Sequence, residues 1–581
     1  MISLSSTPKK YHTDQDKACT PQETVRRVKA ALSGLSLSIL AQTRRIDNGV
    51  LGIPVFLSIC GEDARSVMPT RKQMGKGASP EQAEASALME LMERYGFFTF
   101  WRDLPEATQT TWEEAKVLFP KTLMPLDLVN KACGDTLPHD TLERILNLRP
   151  WLFVPTTHIA TGNTVHVPLD LFKVLNEFNG SSAGNTHVES ILQGTCELVE
   201  RHVCALADKL HPALPSLPVQ PESTNDPVLR DLLEKFHHNG IVLVLKDMTM
   251  GMPVPTVAAL AMNPLTFPAT SEIVFTAGTA CTPEKAAIRA ITEVAQLAGD
   301  FCTSASYEAS GLPKYRSWEE TEWLHQGPQT TYAALPRIEH DDMLEELQEV
   351  AQRLEALGFP LFSVSTQNPQ TGVPSNYNFV PGFQFRERDE HPSVGLFVLR
   401  LLREEANEEA LLAGLATIEA AYPESHFIPF FKGLIALDMG NVETARAFFT
   451  EALPLQPGAT ATALVAFYHA YTLTQEAQWE TAIPLLDNAI ESAPDLKEAL
   501  NLRGVCKFKL ERYAEAAEDF TEVVKFIDKS SVMDLFNLGV CHKLMGNTDE
   551  AKTYLTAALS IDPTFAKAQE HLAELASQVQ R

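Results

Sequence analysis

The sequence has no long apolar run and no excess of basic charge. No apolar stretch among its 581 residues approaches the roughly 18 residues of a membrane-spanning helix, and the first residues lack the apolar core of a secretory signal. A formal net charge of −26 argues against nucleic-acid binding, which needs a basic surface, and against anionic membranes. We therefore expect a cytoplasmic protein that binds neither nucleic acid nor membrane.

Paired-cysteine motifs and the common phosphate-binding loop are also missing. The nine cysteines include no Cys-x-x-Cys pair, so neither a zinc site nor a disulfide framework is predicted. No Gly-x-x-x-x-Gly-Lys-Ser/Thr run occurs, which excludes a nucleotide site of the P-loop type. Cys196 and Cys204 lie eight apart on one predicted helix, where they are either small buried fillers or part of a sulfur relay.

Acids, amides and arginines recur at helical spacing in three stretches of the chain. The stretches hold Ser86, Glu90, Glu93 and Arg94, then Asn185, Glu189, Gln193, Glu197, Glu200 and Arg201, then Arg289, Glu293 and Gln296. Residues three or four apart are neighbours on a helix, so each stretch forms one polar stripe between apolar positions. One such stripe alone is typical of a solvated face with local ion pairs. Three stripes together predict a buried polar surface that a ligand must satisfy.

The residue types in these stripes suit a metal ion and phosphate groups. Carboxylates at i and i+3 can close around Mg²⁺, which prefers oxygen ligands, and the two pairs are Glu90 with Glu93 and Glu197 with Glu200. Arginines bind phosphate through paired donors, and the candidates are Arg94, Arg201 and Arg289. The run Gly75-Lys76-Gly77 precedes the first stripe and is a weak signal for a phosphate-binding turn that opens a helix.

Long motifs resemble the YcaO family of ATP-dependent enzymes that modify peptide backbones. They are the run from Thr20 to Tyr95, the second stripe, the stretch from Phe275 to Gln296 and Val380-Pro381-Gly382. The resemblance covers about residues 17 to 390, with the motifs in the family's order. It implies an α+β YcaO-type ATP-binding domain over residues 1–395, and a chemistry in which ATP phosphorylates an amide oxygen. That carbonyl carbon then becomes electrophilic towards a thiol, hydroxyl, amine or sulfide.

The resemblance also implies roles for individual residues. Carried over by position, the Mg²⁺ ligands are Glu90, Glu93, Glu197 and Glu200, and these four form the catalytic set with Arg289 and Glu293. The implied ATP contacts are Lys17, Thr24, Ser86, Arg94, Asn185, Glu189, Gln193, Arg201, Arg289 and Glu293. Lys17 and Thr24 match the family's adenine-contacting pair.

The residues of two motifs favour one branch of the family. IDNGVLGIPV and GKGASPEQAEASALMELMERY are similar to members linked to backbone thioamide formation, which use a sulfide source and a TfuA-like partner. Azoline-forming members end in a proline-rich tail, whereas this sequence ends Gln578-Val579-Gln580-Arg581. Thioamide formation is therefore expected first, and an azoline or amidine second. The alternative is an ATP-binding adaptor that assists another protein's modification, for instance of a ribosomal protein. Catalysis is favoured over the adaptor role, because a decayed enzyme should have lost a glutamate or an arginine from at least one of the three stripes.

Helical and strand patterns alternate in the first part of the chain, as in an α+β domain. Helices are predicted at 21–33, 80–97, 186–209, 227–238, 283–300 and 341–357, and strands at 240–246 and 272–276. The charged run 386–391 before Pro392 is the expected domain boundary.

A repeat occupies residues 405–581. The small residues Gly433, Ala470, Gly504 and Gly539 recur at steps of 37, 34 and 35, and alanines follow each of them after twelve residues. A period near 34 predicts an all-α tetratricopeptide-repeat solenoid of about four copies, capped by a helix from Phe565 to Gln578. Such repeats bind proteins or peptides; the alternative is a stiffening element or the surface of a homodimer.

Overall fold

The computed structural model describes residues 2–47, 50–269, 271–298, 301, 315, 317–386, 391–528 and 530–579. The chain divides into two compact units, residues 1–394 and residues 395–581. Residues 387–390 of the charged run lie outside the described part of the chain.

The first unit contains thirteen described strands, and all of their pairings are antiparallel. The strands are β1 Leu40–Arg45, β2 Val55–Cys60, β3 Lys72–Lys76, β4 Thr108–Thr110, β5 Trp151–His158, β6 Thr164–Pro168, β7 Ser181–Ala183, β8 Ser216–Leu217, β9 Val242–Asp247, β10 Thr256–Met262, β11 Val274–Thr279, β12 Phe362–Ser365 and β13 Ser375–Phe379. They form three sheets, with the orders β1-β2-β3, β11-β10-β9-β8 and β4-β5-β12-β13-β7, and β6 pairs with β5.

Twelve described helices accompany these sheets. They are α1 Pro21–Ser33, α2 Glu62–Val67, α3 Pro80–Asp103, α4 Trp112–Leu118, α5 Leu126–Cys133, α6 His139–Leu146, α7 Leu169–Asn176, α8 His187–Leu210, α9 Pro227–His238, α10 Pro283–Ala298, α11 Glu322–His325 and α12 Met343–Ala356. The mixture of helices and antiparallel strands confirms the predicted α+β class. The helix predicted at 283–300 corresponds to α10, and its residues 299–300 lie outside the described part of the chain.

Three strand–helix pairs place the polar stripes. The strands β3, β7 and β11 each lie at the edge of a different sheet, and each is followed by the helix that packs on it: α3, α8 and α10. Ser79 and Thr186 cap α3 and α8 by accepting hydrogen bonds from backbone N–H groups of the first turn. The three polar stripes therefore lie on three helices that each follow an edge strand.

Glycines let two of these strands lie very close to their helices. A Cβ at Gly75 would lie 2.0 Å from the backbone nitrogen of Ala87 in α3, and a Cβ at Gly278 would lie 2.4 Å from that of Ala290 in α10. Glycine inside a strand often marks such an approach. Gly75 and Lys76 belong to β3, so the Gly75-Lys76-Gly77 run is mainly the end of a packed strand and not the expected helix-opening turn.

The second unit is all-helical in its described part. Its helices are α13 Val394–Glu405, α14 Glu408–Ala421, α15 Phe427–Asp438, α16 Val442–Ala452, α17 Ala459–Thr474, α18 Trp479–Ser492, α19 Lys497–Lys509, α20 Tyr513–Glu522, α21 Val532–Leu544, α22 Thr548–Ile561 and α23 Ala566–Val579. Successive helices from α15 to α22 pack as pairs, and α23 packs on α22. The pair α13 and α14 precedes the repeat units.

Close contact between paired helices explains the recurring small residues. A Cβ at Gly433 would lie 2.5 Å from the ring of Phe449, and a Cβ at Gly504 would lie 2.8 Å from that of Phe520. Each large side chain sits sixteen residues after its glycine, on the second helix of the pair. Only a small residue fits there, which is why the spacing was visible in the sequence. Across the described residues of both units, no helix has the length and apolarity to cross a membrane.

Candidate active site

One cavity of about 350 Å³ collects every residue predicted for the site. Its lining includes Lys17, Thr24, Ser86, Glu90, Glu93, Arg94, Asn185, Glu189, Gln193, Glu197, Glu200, Arg201, Arg289 and Glu293. These residues come from α1 and the segment before it, from α3, α8 and α10, and from the segment between β7 and α8, which holds Asn185. The three stripes, which are far apart in the sequence, thus line the same cavity.

The three helices present equivalent positions to this cavity. Counted from the residue before each helix (Ser79, Thr186 and Thr282), position 7 is Ser86, Gln193 and Arg289; position 11 is Glu90, Glu197 and Glu293; position 14 is Glu93, Glu200 and Gln296. Steps of four and three residues keep these positions on one helix face. The cavity therefore has three similar walls, and the third carries an amide where the other two carry a second carboxylate.

Buried carboxylates accumulate between α3 and α8. Burial raises the pKa of the Glu93 carboxyl to about 8; Arg94 opposes the rise, and the negative charges of Glu197 and Glu90 add to it. Ser181 donates a hydrogen bond of 2.8 Å to Glu93. Because like charges lie near one another in a poorly solvated place, this wall of the cavity favours a cation.

The other carboxylates have more cations near them than Glu93 has. Burial raises the pKa of Glu90 and of Glu200 above the usual range, although nearby cations oppose the shift. Glu200 accepts a hydrogen bond of 2.8 Å from the backbone N–H of Thr279, and Glu197 lies 3.4 Å from Arg201.

This donor set fits Mg²⁺, although the carboxylates do not yet converge on one point. Among the described residues, no three acidic, histidine or cysteine side chains are close enough to form a ready metal cluster. Carboxylate oxygens are nevertheless the protein ligands that Mg²⁺ prefers, and it usually retains waters and takes further oxygens from substrate phosphates. Burial and the negative charges of Glu197 and Glu90 raise the pKa of Glu93, and a bound cation would oppose this rise.

Cations on α10 and β3 also line the cavity. Arg289 donates a hydrogen bond of 3.0 Å to the side chain of Gln193, and its buried Nε has no hydrogen-bond partner among the described residues. Lys76 forms an ion pair with Glu293. Burial and the nearby charge of Arg289 lower the pKa of Lys76 to about 8, against the attraction of Glu200, Glu90 and Glu197.

A hydrogen-bond network joins α1 to the start of α8 at another end of the cavity. Thr24 donates 3.0 Å to the side-chain oxygen of Asn185, whose amide donates 3.1 Å to Glu189. Glu189 also accepts 3.0 Å from the backbone N–H of Ala18 and lies 3.8 Å from the ammonium of Lys17. This end offers neutral donors and acceptors as well as one cation, which is the chemistry that a nucleoside requires.

Lys76 is the main cavity residue that received no role from the sequence. Its only signal was a basic residue between two glycines, and its place in the cavity depends on β3 packing closely on α3. Ser181 and Thr279, which contact Glu93 and Glu200, were missed for a similar reason, because both lie in edge strands next to the helices.

The YcaO family model, described as a cyclodehydratase that binds ATP and Mg²⁺, matches residues 74–384, more than half of the chain. The chain belongs to the YcaO family. The resemblance seen in the sequence is thus confirmed, and ATP and Mg²⁺ are the cofactors of this YcaO protein. Two tetratricopeptide-repeat models match residues 469–531 and 533–565, which confirms the repeats predicted for its C-terminal part.

Three relatives illustrate the range of this family. An uncharacterised protein of Methanothermobacter thermautotrophicus is 33% identical over 48% of this chain and 70% of its own length. A Rhizobium leguminosarum bv. trifolii protein, described as lying in the tfuA 3' region, is 26% identical over 68% of this chain and 94% of its own length. The Escherichia coli ribosomal protein S12 methylthiotransferase accessory factor YcaO is 28% identical over 33% of this chain and 35% of its own length.

The fold also has a solved counterpart. A heterocyclase determined in complex with substrate and cofactor matches with a TM-score of 0.53 and 20% identity, over 66% of this chain and 54% of that protein. At this identity the similarity establishes a common fold.

Proposed function

We propose that this protein uses Mg²⁺-ATP to activate a backbone amide of a peptide or protein by phosphorylating its oxygen, and that the product is a thioamide. The observation that carries the proposal is the single cavity in which four glutamates of α3 and α8 face the cations of α10 and β3. Phosphoryl transfer requires positioning and charge neutralisation more than a protein nucleophile, and this cavity offers both.

The described residues divide the work within the cavity. Glu90, Glu93, Glu197 and Glu200 hold Mg²⁺, and Arg94, Arg201, Arg289 and Glu293 orient the phosphates together with Ser86 and Gln193. Asn185 and Glu189 bind the ribose, and Lys17 and Thr24 bind the adenine. The Arg289–Gln193 hydrogen bond keeps donors of α8 and α10 side by side before the nucleotide arrives, so little reorganisation is needed.

Mg²⁺-ATP, when bound, supplies the phosphoryl group that turns the amide oxygen into a leaving group. Hydrosulfide then forms a bond to the carbonyl carbon, the carbon–oxygen bond breaks, and phosphate leaves with the oxygen. The carboxylates are poorly solvated within the cavity, which strengthens their interactions with the charged groups around them.

The sulfur-containing product is supported by the relative from the tfuA 3' region, which this chain matches over 94% of that relative's length. A TfuA-like sulfur-delivery protein is the corresponding partner. An azoline, formed by loss of water, is the second candidate product, and the heterocyclase with the same fold favours it.

We assign the catalytic role to residues 1–395 and recruitment of substrate or partner to the repeats in residues 405–581. The repeat helices expose several apolar side chains: Leu464 and Tyr471 on α17 and Met533 on α21 are 36%, 38% and 50% exposed. Exposed apolar groups on such repeats are suited to bind a peptide or a protein segment.

Comparative mass spectrometry tests the reaction. Proteins and peptides of the source organism would be compared between cells with the wild-type gene, without it, and with a Glu200→Gln variant. We expect backbone sites in which sulfur replaces oxygen only in wild-type cells. Loss of water at such sites would identify an azoline instead, and no backbone change in any strain would contradict amide activation.

An accessory role is the second candidate, because a relative is an accessory factor for modification of ribosomal protein S12. In that case the same comparison would show a change at a side chain modified by another enzyme. Backbone masses would then be identical in all three strains.

A further inference from the structure

Two cysteines of the first unit meet beside the nucleotide cavity. Cys196 lies in α8 between Gln193 and Glu197, and Cys281 lies between β11 and α10. The neighbouring Cys196 thiol and burial raise the pKa of the Cys281 thiol, and the two residues are only 5% and 7% exposed. No role in binding or transferring phosphate is assigned to either thiol. A pair of neighbouring thiols can exchange sulfur or form a disulfide.

A small chamber contains the pair. Its volume is about 50 Å³, room for a few atoms of the size of a water oxygen, and both cysteines line it. Charges of both signs belong to the same lining: the cations Lys17, Lys285 and Arg289, and the acids Asp16, Glu189 and Glu346.

The chamber adjoins the cavity assigned to ATP. Both are lined by Gln15, Lys17, Glu189, Gln193 and Arg289. Sulfur released between the two cysteines would therefore appear next to the place where an activated amide needs it. A sulfide formed in bulk solution would instead be diluted before it reached the carbonyl carbon.

We propose that Cys196 and Cys281 are a dithiol that takes a sulfane sulfur from a hydropersulfide or polysulfide and releases it as hydrosulfide beside the ATP site. This inference rests on the proposed thioamide function and names the sulfur substrate of the same site. It gives the thiol pair a chemical role that packing alone does not require.

The reaction balances in two exchanges. One cysteine thiolate attacks the outer sulfur of a donor R–S–SH, so the donor's S–S bond breaks, R–SH leaves, and the cysteine carries a persulfide. The second cysteine attacks the inner sulfur of that persulfide, forms the Cys196–Cys281 disulfide and expels hydrosulfide. The sulfane sulfur gains two electrons and the two protein thiols lose them. A small dithiol reductant returns the pair to its reduced form.

The test uses the full-length, reduced protein and glutathione hydropersulfide as the sulfur donor, so that the leaving group of the first exchange is glutathione and not sulfide. We expect release of about one sulfide for each protein molecule, in step with a loss of two hydrogens from the protein mass. Peptide mapping should place the new disulfide between Cys196 and Cys281. Cys196→Ser and Cys281→Ser should each abolish release and leave one extra sulfur atom on the remaining cysteine.

Cys204→Ser is the matched control, because Cys204 is buried on the same helix, eight residues after Cys196. It should release sulfide like the wild type. Wild-type protein that forms the disulfide with hydrogen peroxide but releases no sulfide from the donor would overturn the proposal. Equal release by Cys281→Ser would also overturn it.

Titration with Mg²⁺-ATP on the same samples separates the two hypotheses. Sulfide release without nucleotide binding would support the dithiol proposal and contradict the proposed function. Binding of Mg²⁺-ATP without any reaction with the sulfur donor would contradict only the dithiol proposal.

Discussion

At the scale of single residues, a Lys76 variant distinguishes the end of the cavity that is expected to bind phosphates from the end that is expected to bind the nucleoside. Its ammonium is buried against Glu293 and close to the carboxylates of α3 and α8, where phosphates are expected. We expect Lys76→Met to weaken ATP binding by about 10- to 100-fold, because a charge-assisted hydrogen bond contributes roughly 1.5–3 kcal/mol. AMP affinity should change little. Isothermal titration with both nucleotides measures the difference.

Lys209→Met is the control for that variant, since Lys209 is exposed near the end of α8. Equal losses of ATP and AMP affinity in Lys76→Met would contradict a phosphate contact and indicate a general loss of structure.

Thr24 lies at the end of the cavity where the nucleoside is expected to bind. It donates to Asn185, which in turn orients Glu189. Thr24→Val removes the hydroxyl donor at similar volume, so we expect a loss of about 3- to 10-fold in affinity that is the same for ATP, ADP and AMP, since one neutral hydrogen bond contributes roughly 1 kcal/mol. Competition titrations with the three nucleotides would show it. A loss confined to ATP would place Thr24 near the phosphates instead.

The predicted site residues were accessible to sequence reasoning because helical periodicity is local. Glu90, Glu93, Glu197 and Glu200 were found from their spacing and apolar neighbours, and the structure brings all four to one cavity. Lys76 was not found, since a strand shows no helical spacing and its approach to α3 is a tertiary contact. That Cys196 and Cys281, 85 residues apart, line one chamber depends on tertiary structure in the same way.

At the scale of elements, the strand–helix contacts hold the cavity walls in place. Gly75→Ala would put a Cβ 2.0 Å from the backbone of α3, so β3 must move away from the helix that carries Glu90 and Glu93. We expect a loss of about 1–3 kcal/mol in the free energy of unfolding, together with weaker Mg²⁺-ATP binding. Urea unfolding and nucleotide titration measure the two effects.

Gly34→Ala is the matched control. A Cβ at Gly34 meets its nearest backbone atom at an ordinary 3.7 Å, and this glycine has a right-handed conformation. It should leave both quantities nearly unchanged. A Gly75→Ala protein as stable as the wild type would show that β3 does not need its close contact.

Element boundaries were predictable where capping signals are strong. The helices α1 and α9 span the predicted residues, 21–33 and 227–238. Their first residues were predictable because Thr20-Pro21 and Asp226-Pro227 combine a capping side chain with proline in the first turn. The strand β1, of sequence LAQTRR, has no apolar alternation, and β10 is an apolar run that is equally consistent with a buried helix. The antiparallel pairing of these strands supplies the missing information.

At the scale of the whole molecule, two compact units correspond to two proposed tasks. Residues 1–394 contain the cavity, and residues 395–581 contain the repeats. Removal of residues 395–581 should leave Mg²⁺-ATP affinity within about twofold, because every cavity-lining residue is retained. Capture of the modified peptide or its carrier from cell extract should fall strongly.

Point variants of the intact chain provide an independent check on that truncation. Replacing the exposed Tyr471 and Met533 by serine should reduce capture without affecting nucleotide affinity, since both lie in the repeat unit. A truncated protein that folds but loses ATP binding would contradict the division of tasks.

The most direct measurement of the central claim is isothermal titration of ATP into the full-length protein, with and without Mg²⁺, beside Glu90→Gln and Glu200→Gln. Glu234→Gln is the control, because Glu234 is exposed on α9. We expect micromolar binding that requires Mg²⁺ and is lost in both cavity variants, since each removes a carboxylate ligand without changing its shape. Binding that is independent of Mg²⁺, or unchanged in the two variants, would contradict the proposed site.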